Sequence, residues 1–166
     1  MKPTKTVGIQ YGALPFRIEG RRVMVLLMTS RGTKRWVIPK GWPIHGAKPQ
    51  DSAAIEAAEE AGLIGEVEDR SIGSYQYAKR LKGERTLIVQ VIVFPFRVYA
   101  QADAWKEQDQ RRYRWVRYQK AVSMVAEAGL KRLLRELGTA RSPSLVAGAL
   151  RTYRSWRLAQ SPHALG

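Results

Sequence analysis

The sequence predicts an α/β (α+β) domain in which several strands are combined with helices. Three observations support this fold class. Stretches of β-branched and aromatic residues alternate with turns rich in Gly, Pro and charged residues, which is typical of strands. Two other stretches have helical periodicity. With 166 residues and 45% hydrophobic content, the chain is long enough for one domain with a core and short for two.

Turn signals divide the strand-like stretches clearly. Six segments are predicted as strands: residues 7–16, 23–30, 36–39, 72–79, 86–99 and 113–116. The fourth and fifth are expected to form a long hairpin. The run LIVQVIVF in the fifth is apolar almost without interruption, which predicts a central strand covered on both faces.

The first helix is predicted from start signals at residues 50–52 and a stop signal at Gly62. Ala54, Ala58 and Ala61 share one side of this helix, so we expect that side to pack closely against the sheet. A second helix is predicted over residues 119–137.

The C-terminal part differs in composition. The second helix is expected to be interrupted at Gly129. The domain is predicted to span residues 1–138, where the composition changes. Residues 139–166 are predicted to be a linker followed by a basic C-terminal helix, because four arginines and no acid follow residue 140. Its aromatic stripe would pack on the domain or on a second copy, forming a homodimer. The alternative is an arginine and aromatic contact with RNA or another polyanion.

The first helix carries three glutamates on one face. Glu56, Glu59 and Glu60 stand at positions i, i+3 and i+4, so their carboxylates project from one side and repel one another. A hard cation such as Mg²⁺ or Mn²⁺ prefers several oxygen ligands and would supply the missing charge. The glycine-rich loop before the helix, which contains Gly41, permits close backbone approach. The alternative is a solvated acidic face on an ordinary amphipathic helix.

These residues stand at the spacing of a known motif. The matching positions are Gly41, Glu56, Glu59, Glu60, Gly62 and Leu63. The chain therefore resembles Nudix hydrolases, whose box reads Gx5Ex7REUxEExGU with U an apolar residue. Ala47 and Ile55 replace the first glutamate and the arginine, which in the family tie the loop to the helix. Because both charges are absent together, we expect apolar packing in their place.

Four longer segments are similar to one branch of that family. They are QYGALPFR, VMVLLMTSRGTKRWVIPKGWP, EAAEEAGL and WKEQDQRRYRWVRYQKAV. The branch is that of the diphosphoinositol polyphosphate phosphohydrolases. This resemblance implies a mixed β-sheet sandwiched between helices. It also implies Mg²⁺- or Mn²⁺-dependent cleavage of a phosphoanhydride bond in a diphosphoinositol polyphosphate or a dinucleoside polyphosphate.

The resemblance assigns Glu56, Glu59 and Glu60 as metal ligands and catalytic residues, one of them a candidate base. The candidate substrate contacts are Arg17, Arg31, Arg35, Lys40, Gly41, Lys79 and Arg112. Arg112 is included through the resemblance alone, and each cation taken singly is as readily a solvated surface charge. Glu107 is either an acid near the metal or a solvated loop acid, and we favour the latter.

The charge balance limits the class of partner. The formal net charge is +15, from 29 Lys and Arg against 14 Asp and Glu, so polyanions are attracted. A phosphorylated small molecule is favoured over nucleic acid, and no stretch is apolar enough for a membrane span. The lack of cysteine and of a signal peptide predicts a cytoplasmic protein. The alternative function is a non-catalytic Nudix-fold protein that binds RNA or another polyanion.

Overall fold

The computed structural model describes residues 7–141. The predicted basic C-terminal helix lies outside these residues, and the predicted domain boundary stays a prediction. The eight strands of the described part are β1 (Val7–Glu19), β2 (Arg22–Thr29), β3 (Trp36–Val37), β4 (Lys40–Gly41), β5 (Leu63–Val67), β6 (Gly73–Arg80), β7 (Thr86–Gln101) and β8 (Tyr113–Arg117). The helices are α1 (Pro49–Ala61), α2 (Tyr118–Met124) and α3 (Ala128–Ala140), with one 3₁₀ turn at Gln108–Gln110.

The strands form one mixed sheet around β7. The main order is β3-β2-β1-β7-β5, with β4 paired to β1, β6 to β7 and β8 to β2. Strand β7 runs parallel to β1 and antiparallel to β5 and β6. The prediction of a central strand at LIVQVIVF is therefore confirmed, as are the six predicted strands. The short strands β4 and β5 were not predicted.

Helices cover both faces of the sheet. On β7, Val89, Val91 and Val93 belong to the core beneath α2 and α3, while Phe94 and Phe96 belong to the core beneath α1. This alternation follows from the two-residue period of a strand, which lets one apolar strand serve two cores. The expected mixed sheet sandwiched between helices is confirmed.

The buried face of α1 is rotated from the predicted one. The fully buried row is Ala53, Ala57 and Ala61, whereas Ala58 is exposed. The cause is Glu60, which is only 7% exposed and therefore lies on the inner side of the helix. A glutamate side chain is ordinarily exposed, so the sequence predicts that Glu60 faces solvent and that Ala54 and Ala58 pack on the sheet.

The second helical segment is broken earlier than predicted. Helices α2 and α3 are separated at residues 125–127, and Gly129 lies in the first turn of α3. The break follows from Val125, which is extended (φ −82°, ψ 152°), is 2% exposed and forms a bridge with Trp36. A side chain at Gly129 would come within 2.7 Å of Tyr75 Cβ, so this glycine permits close packing on β6. Helix α3 continues two residues into the predicted linker.

Candidate functional site

The loop before α1 is held at both of its ends. Strand β4 pairs with β1 so that Gly41 lies opposite Tyr11. At the other end, α1 begins with Pro49 in its first turn, and Ser52 does not cap the helix. Instead, Ser52 Oγ accepts a hydrogen bond of 3.2 Å from the backbone N–H of Ile44. The loop is therefore anchored to β1 at one end and to α1 at the other.

The two residues that depart from the motif do not pack as expected. Ile55 is 38% exposed, and neither Ile55 nor Ala47 belongs to a hydrophobic cluster of the described residues. The backbone N–H of Ala47 donates to the carbonyl of Ile44 at 3.1 Å. The expectation that apolar packing of Ala47 and Ile55 replaces the charged tie is therefore wrong. The loop is held instead by hydrogen bonds to the backbone of Ile44.

Gly41 brings the loop into contact with the first glutamate. A Cβ atom on Gly41 would occupy the space of the Glu56 carboxylate. The backbone of Gly41 is not in the left-handed region, so the glycine is needed for space and not for its conformational freedom. The sequence-based expectation of a close backbone approach is confirmed at this position.

The three glutamates of α1 have different surroundings. Glu60 is buried, and its Oε2 accepts a 3.3 Å hydrogen bond from the backbone N–H of Lys40. Glu56 is half-buried next to the loop. Glu59 is more exposed and lies 3.6 Å from Lys106 Nζ. The face thus runs from the protein interior at Glu60 to solvent at Glu59.

The segment between β7 and β8 packs on the C-terminal end of α1. The backbone N–H of Glu107 donates to the Glu59 carbonyl at 3.2 Å, and the Tyr113 hydroxyl donates to the Glu60 carbonyl at 2.5 Å. Trp105 Nε1 donates to the Tyr113 hydroxyl at 3.2 Å. These bonds satisfy helix carbonyls that would otherwise lack partners and bring a fourth carboxylate to the site.

Arg111 is the buried cation of the site. Its side chain is 6% exposed, and its Nη2 lies 3.5 Å from Glu60 Oε1 and 3.3 Å from Glu107 Oε1. Its Nη1 donates to the Thr29 carbonyl at 3.1 Å. One guanidinium therefore joins carboxylates from two segments that are distant in sequence, and it fixes their separation.

Sequence reasoning selected Arg112 and missed Arg111. Arg112 is exposed, and within residues 7–141 its side chain has no hydrogen-bond or ion-pair partner. Side chains alternate along extended backbone, so the half-buried Tyr113 and Trp115 share a face with Arg111. This two-residue period in RRYRW was the signal that could have identified the inward arginine.

Glu107 is not the solvated loop acid that we favoured. Its side chain is 13% exposed, and it contacts Arg31 at 3.5 Å as well as Arg111. That expectation is wrong because the 3₁₀ turn that follows Glu107 folds the segment back onto α1. Glu107 therefore joins the acidic face of the helix.

Burial and mutual repulsion shift the acid–base behaviour of these groups. Burial, followed by repulsion from Glu59 and Glu107, raises the pKa of Glu56. Burial raises the pKa of Glu60 to about 7, although Arg111 and Lys40 oppose this shift. Carboxyl groups whose pKa values are raised by burial and by one another are typical of functional sites, and a bound cation would favour their charged forms.

Lys40, Lys79 and Arg31 are brought to the site. The Lys40 ammonium lies 5.0 Å from the centroid of the Tyr77 ring, and burial lowers its pKa to about 8. Lys79 is close enough to contribute to that lowering. The Arg31 guanidinium lies 3.5 Å from Glu107 Oε1, which brings it to the site. It also donates a hydrogen bond of 3.2 Å to Gln110 Oε1.

Two other predicted contacts have different partners. Arg35 pairs with Glu127 at 3.4 Å, beside the α2–α3 break. Arg17 pairs with Glu19 at 2.5 Å, and its guanidinium lies 4.0 Å above the Trp115 ring. The structure does not bring either guanidinium against a glutamate of α1.

The donor set fits a hard divalent cation by its chemistry. Carboxylate oxygens are the ligands that Mg²⁺ and Mn²⁺ prefer, and the close approach of Gly41 to Glu56 places the loop backbone against one of them. Within residues 7–141, no three acidic or histidine side chains already converge on one point. Glu59 is directed to Lys106 and Glu60 to Arg111, so a cation would compete with these ion pairs for the same oxygens.

Gly41→Ala tests the approach of loop and helix. We expect Mn²⁺ affinity to fall by at least about tenfold, since the added methyl displaces the Glu56 carboxylate that would hold the ion. The measurement is a titration of free Mn²⁺ by electron paramagnetic resonance. Gly32→Ala is the matched control, because a Cβ at Gly32 meets no atom within 4 Å. Equal Mn²⁺ affinity in both variants would contradict the assignment of Glu56.

The stability of the metal-free protein should depend on pH through Glu60. The pKa of Glu60 is about 7 in the folded protein against an ordinary value of 4.5, so its stabilising contribution is complete below pH 4.5 and lost as the pH rises through 7. In EDTA, we expect the free energy of unfolding to fall over this range less steeply for Glu60→Gln than for wild type. Urea titrations check this, with Asp51→Asn as control. Identical slopes would show that Glu60 does not titrate in this window.

A model of the NUDIX domain matches residues 8–137. Nudix hydrolase 21, chloroplastic, of Arabidopsis thaliana is 30% identical over 128 residues, which are 74% of this chain and 62% of that protein. Nudix hydrolase 18, mitochondrial, of the same plant is 27% identical over 118 residues, 66% of this chain and 64% of that protein. The chain thus spans less than two thirds of the length of these relatives.

Solved structures have the same fold. The crystal structure of C. elegans Ap4A hydrolase has a TM-score of 0.59 at 18% identity and covers 82% of this chain and 100% of that chain. The NUDIX domain of Shewanella oneidensis NrtR, complexed with ADP ribose, has a TM-score of 0.59 at 15% identity and covers 81% of this chain and 90% of that chain.

The names of these two relatives include a compartment. Their names place them in chloroplasts and mitochondria, so the cytoplasmic location expected for this chain stays a prediction. Across residues 7–141, no helix has the length and apolarity needed to cross a bilayer.

The match over residues 8–137, together with the fold, shows that the chain belongs to the Nudix family.

Proposed function

We propose that this chain is a metal-dependent hydrolase that cleaves a phosphoanhydride bond in a highly phosphorylated small molecule. The observation that carries this proposal is the meeting of Glu60 with Glu107 at Arg111, with Glu56 on the same helix face beside the Gly41 backbone. An acidic face that served only solubility would not bury Glu60. The names of the relatives, which are Nudix hydrolases, support the same reaction class.

The residues divide into distinct roles. Glu56, Glu59 and Glu60 would hold Mg²⁺ or Mn²⁺, which when bound supplies charge neutralisation of the phosphates and activation of water. Glu107 is a candidate proton acceptor by its position, because it lies close enough to Glu56 to raise that group's pKa, and Arg111 at 3.3 Å and Arg31 at 3.5 Å fix the position of its Oε1. Arg111 is a positioning residue, since its contacts are to carboxylates and to the Thr29 carbonyl.

The cations at the site support a substrate with several phosphates. The Lys40 ammonium is held over Tyr77, and Lys79 and Arg31 add further positive charge near the glutamates. We propose a diphosphoinositol polyphosphate or a dinucleoside polyphosphate, the two substrates that the flanking segments favour. The structural neighbour named Ap4A hydrolase makes a dinucleoside polyphosphate a natural substrate to assay first.

A second candidate is a Nudix-fold protein that binds RNA or another polyanion without turnover. Two observations favour it: Ala47 and Ile55 depart from the family motif, and the net charge is +15. The buried carboxylate cluster argues against it, because a surface for polyanions gains nothing from glutamates placed beside its cations. Turnover separates the two functions.

Turnover by wild type and Glu60→Gln tests the proposal. The substrates are diadenosine polyphosphates, diphosphoinositol polyphosphates, ADP-ribose, capped RNA and oxidised nucleotides, each with Mg²⁺ and with Mn²⁺. We expect wild type to hydrolyse one of the first two classes and Glu60→Gln to lose at least about a hundredfold in kcat, as typically follows removal of a group that stabilises transition-state charge. Product chromatography measures the kcat of both proteins for each substrate.

Asp51→Asn is the matched control for that experiment. Asp51 is an exposed acid in the first turn of the same helix, so its replacement removes the same charge without touching the cluster. We expect it to retain wild-type turnover. No turnover of any substrate by wild type, with RNA binding unaffected by Glu60→Gln, would favour the second candidate and overturn the first.

A further inference from the structure

We propose that the chain binds a small polyphosphorylated ligand at a second site, formed by arginines at the far end of the sheet from the glutamates. A concave pocket of about 340 Å³ lies between the β1–β2 turn, the β8–α2 junction and the end of α3. Its lining includes Arg21, Arg22, Arg117, Tyr118, Thr139 and Arg141. Four of these are arginines and none is acidic.

The positive charge of this pocket is not neutralised by the protein. Arg141 pairs with Glu68, but Arg21, Arg22 and Arg117 have no ion-pair partner within residues 7–141. All 14 acidic residues of the chain lie in that described part, because residues 1–6 and 142–166 contain no Asp or Glu. No carboxylate side chain of this chain therefore remains to balance the three guanidinium groups.

The fold places these arginines together although they are distant in sequence. Arg22 begins β2 opposite Glu19, whose carboxylate is engaged by Arg17. Arg117 ends β8, which pairs with β2 at Met24. The register of two strand pairs thus brings cations from separate segments to one edge, and like charges held together are unfavourable unless an anion joins them.

The pocket is separate from the glutamate cluster. Strand β1 contacts the glutamate side at Gly12, opposite Lys40, and contacts the arginine pocket at Glu19. At about 3.3 Å per residue, the intervening part of β1 spans roughly 20 Å. One ligand of ordinary size would therefore not occupy both places, and the second site is independent of the proposed reaction.

Size and shape favour a small ligand over a nucleic acid backbone. Small-molecule sites are concave and typically enclose about 300 to 1,000 Å³, which includes the volume of this pocket. Arginine guanidinium groups bind phosphate oxygens in a bidentate manner, so several phosphates on one small molecule would engage several arginines together. A nucleic acid backbone would instead be expected to follow an extended groove.

The test compares binding of inorganic tripolyphosphate to wild type and to Arg22→Ala/Arg117→Ala by isothermal titration calorimetry. EDTA is present so that divalent ions neither chelate the probe nor attract it to the glutamates. We expect the double variant to bind at least about tenfold more weakly, because charge-assisted bonds to phosphate are lost. Both replaced side chains are exposed, so we expect the fold and turnover to be retained. If the double variant unfolds, the single Arg21→Gln variant in the turn provides the same comparison.

Lys82→Ala/Arg85→Ala is the matched control, since it removes two exposed cations from the β6–β7 turn. Retained tripolyphosphate binding in this control, with loss in the pocket variant, supports the proposal. Equal loss in both variants would mean general attraction to a basic protein and would overturn it. An absence of tripolyphosphate binding to wild type would also overturn it, as would a pocket-dependent loss seen with a 20-nucleotide RNA but not with tripolyphosphate.

Discussion

The contact of Arg111 with Glu60 and Glu107 is the interaction on which the rest of the site depends. Burying a carboxylate costs several kcal/mol unless a partner compensates it, and removing one partner of a buried ion pair costs about 3 to 5 kcal/mol. Glu60 is buried between Arg111 and the Lys40 backbone N–H. Without this arginine, Glu60 would turn to solvent or remain protonated, and the acidic face of α1 would lose its inner member.

This ion pair also explains the architecture around it. Because Glu60 is directed inward, α1 packs on the sheet through Ala57 and its neighbours one turn away. Because Arg111 contacts Glu60 near the C-terminal end of α1, the β7–β8 segment packs against that end of the helix. The Tyr113 hydroxyl holds it there through its bond to the Glu60 carbonyl. The same segment supplies Glu107, so one constraint accounts for helix orientation, loop path and the fourth carboxylate.

The parts that could be predicted are those encoded by local spacing. The periods of strands and helices predicted the sheet, and the i, i+3, i+4 spacing of Glu56, Glu59 and Glu60 identified the acidic face. The alternation in RRYRW could have identified Arg111 as the inward arginine, but its pairing with Glu60, about fifty residues earlier in the chain, exists only after folding. Glu107 likewise joins the site only when its segment packs on the end of α1. The burial of Glu60 and the exposure of Ile55 were missed for the same reason, since both depend on tertiary contacts that override residue preference.

The central claim is that Glu56, Glu59 and Glu60 of α1 form one divalent cation site, beside which Arg111 holds Glu107. Anomalous diffraction from crystals of this protein grown with Mn²⁺ tests it most directly, because the peak locates the ion without reference to activity. The account predicts a peak between Glu56, Glu59 and Glu60, next to the Gly41 backbone, with Arg111 still in contact with Glu107. A peak at another place in the molecule, or none at saturating Mn²⁺, would contradict it.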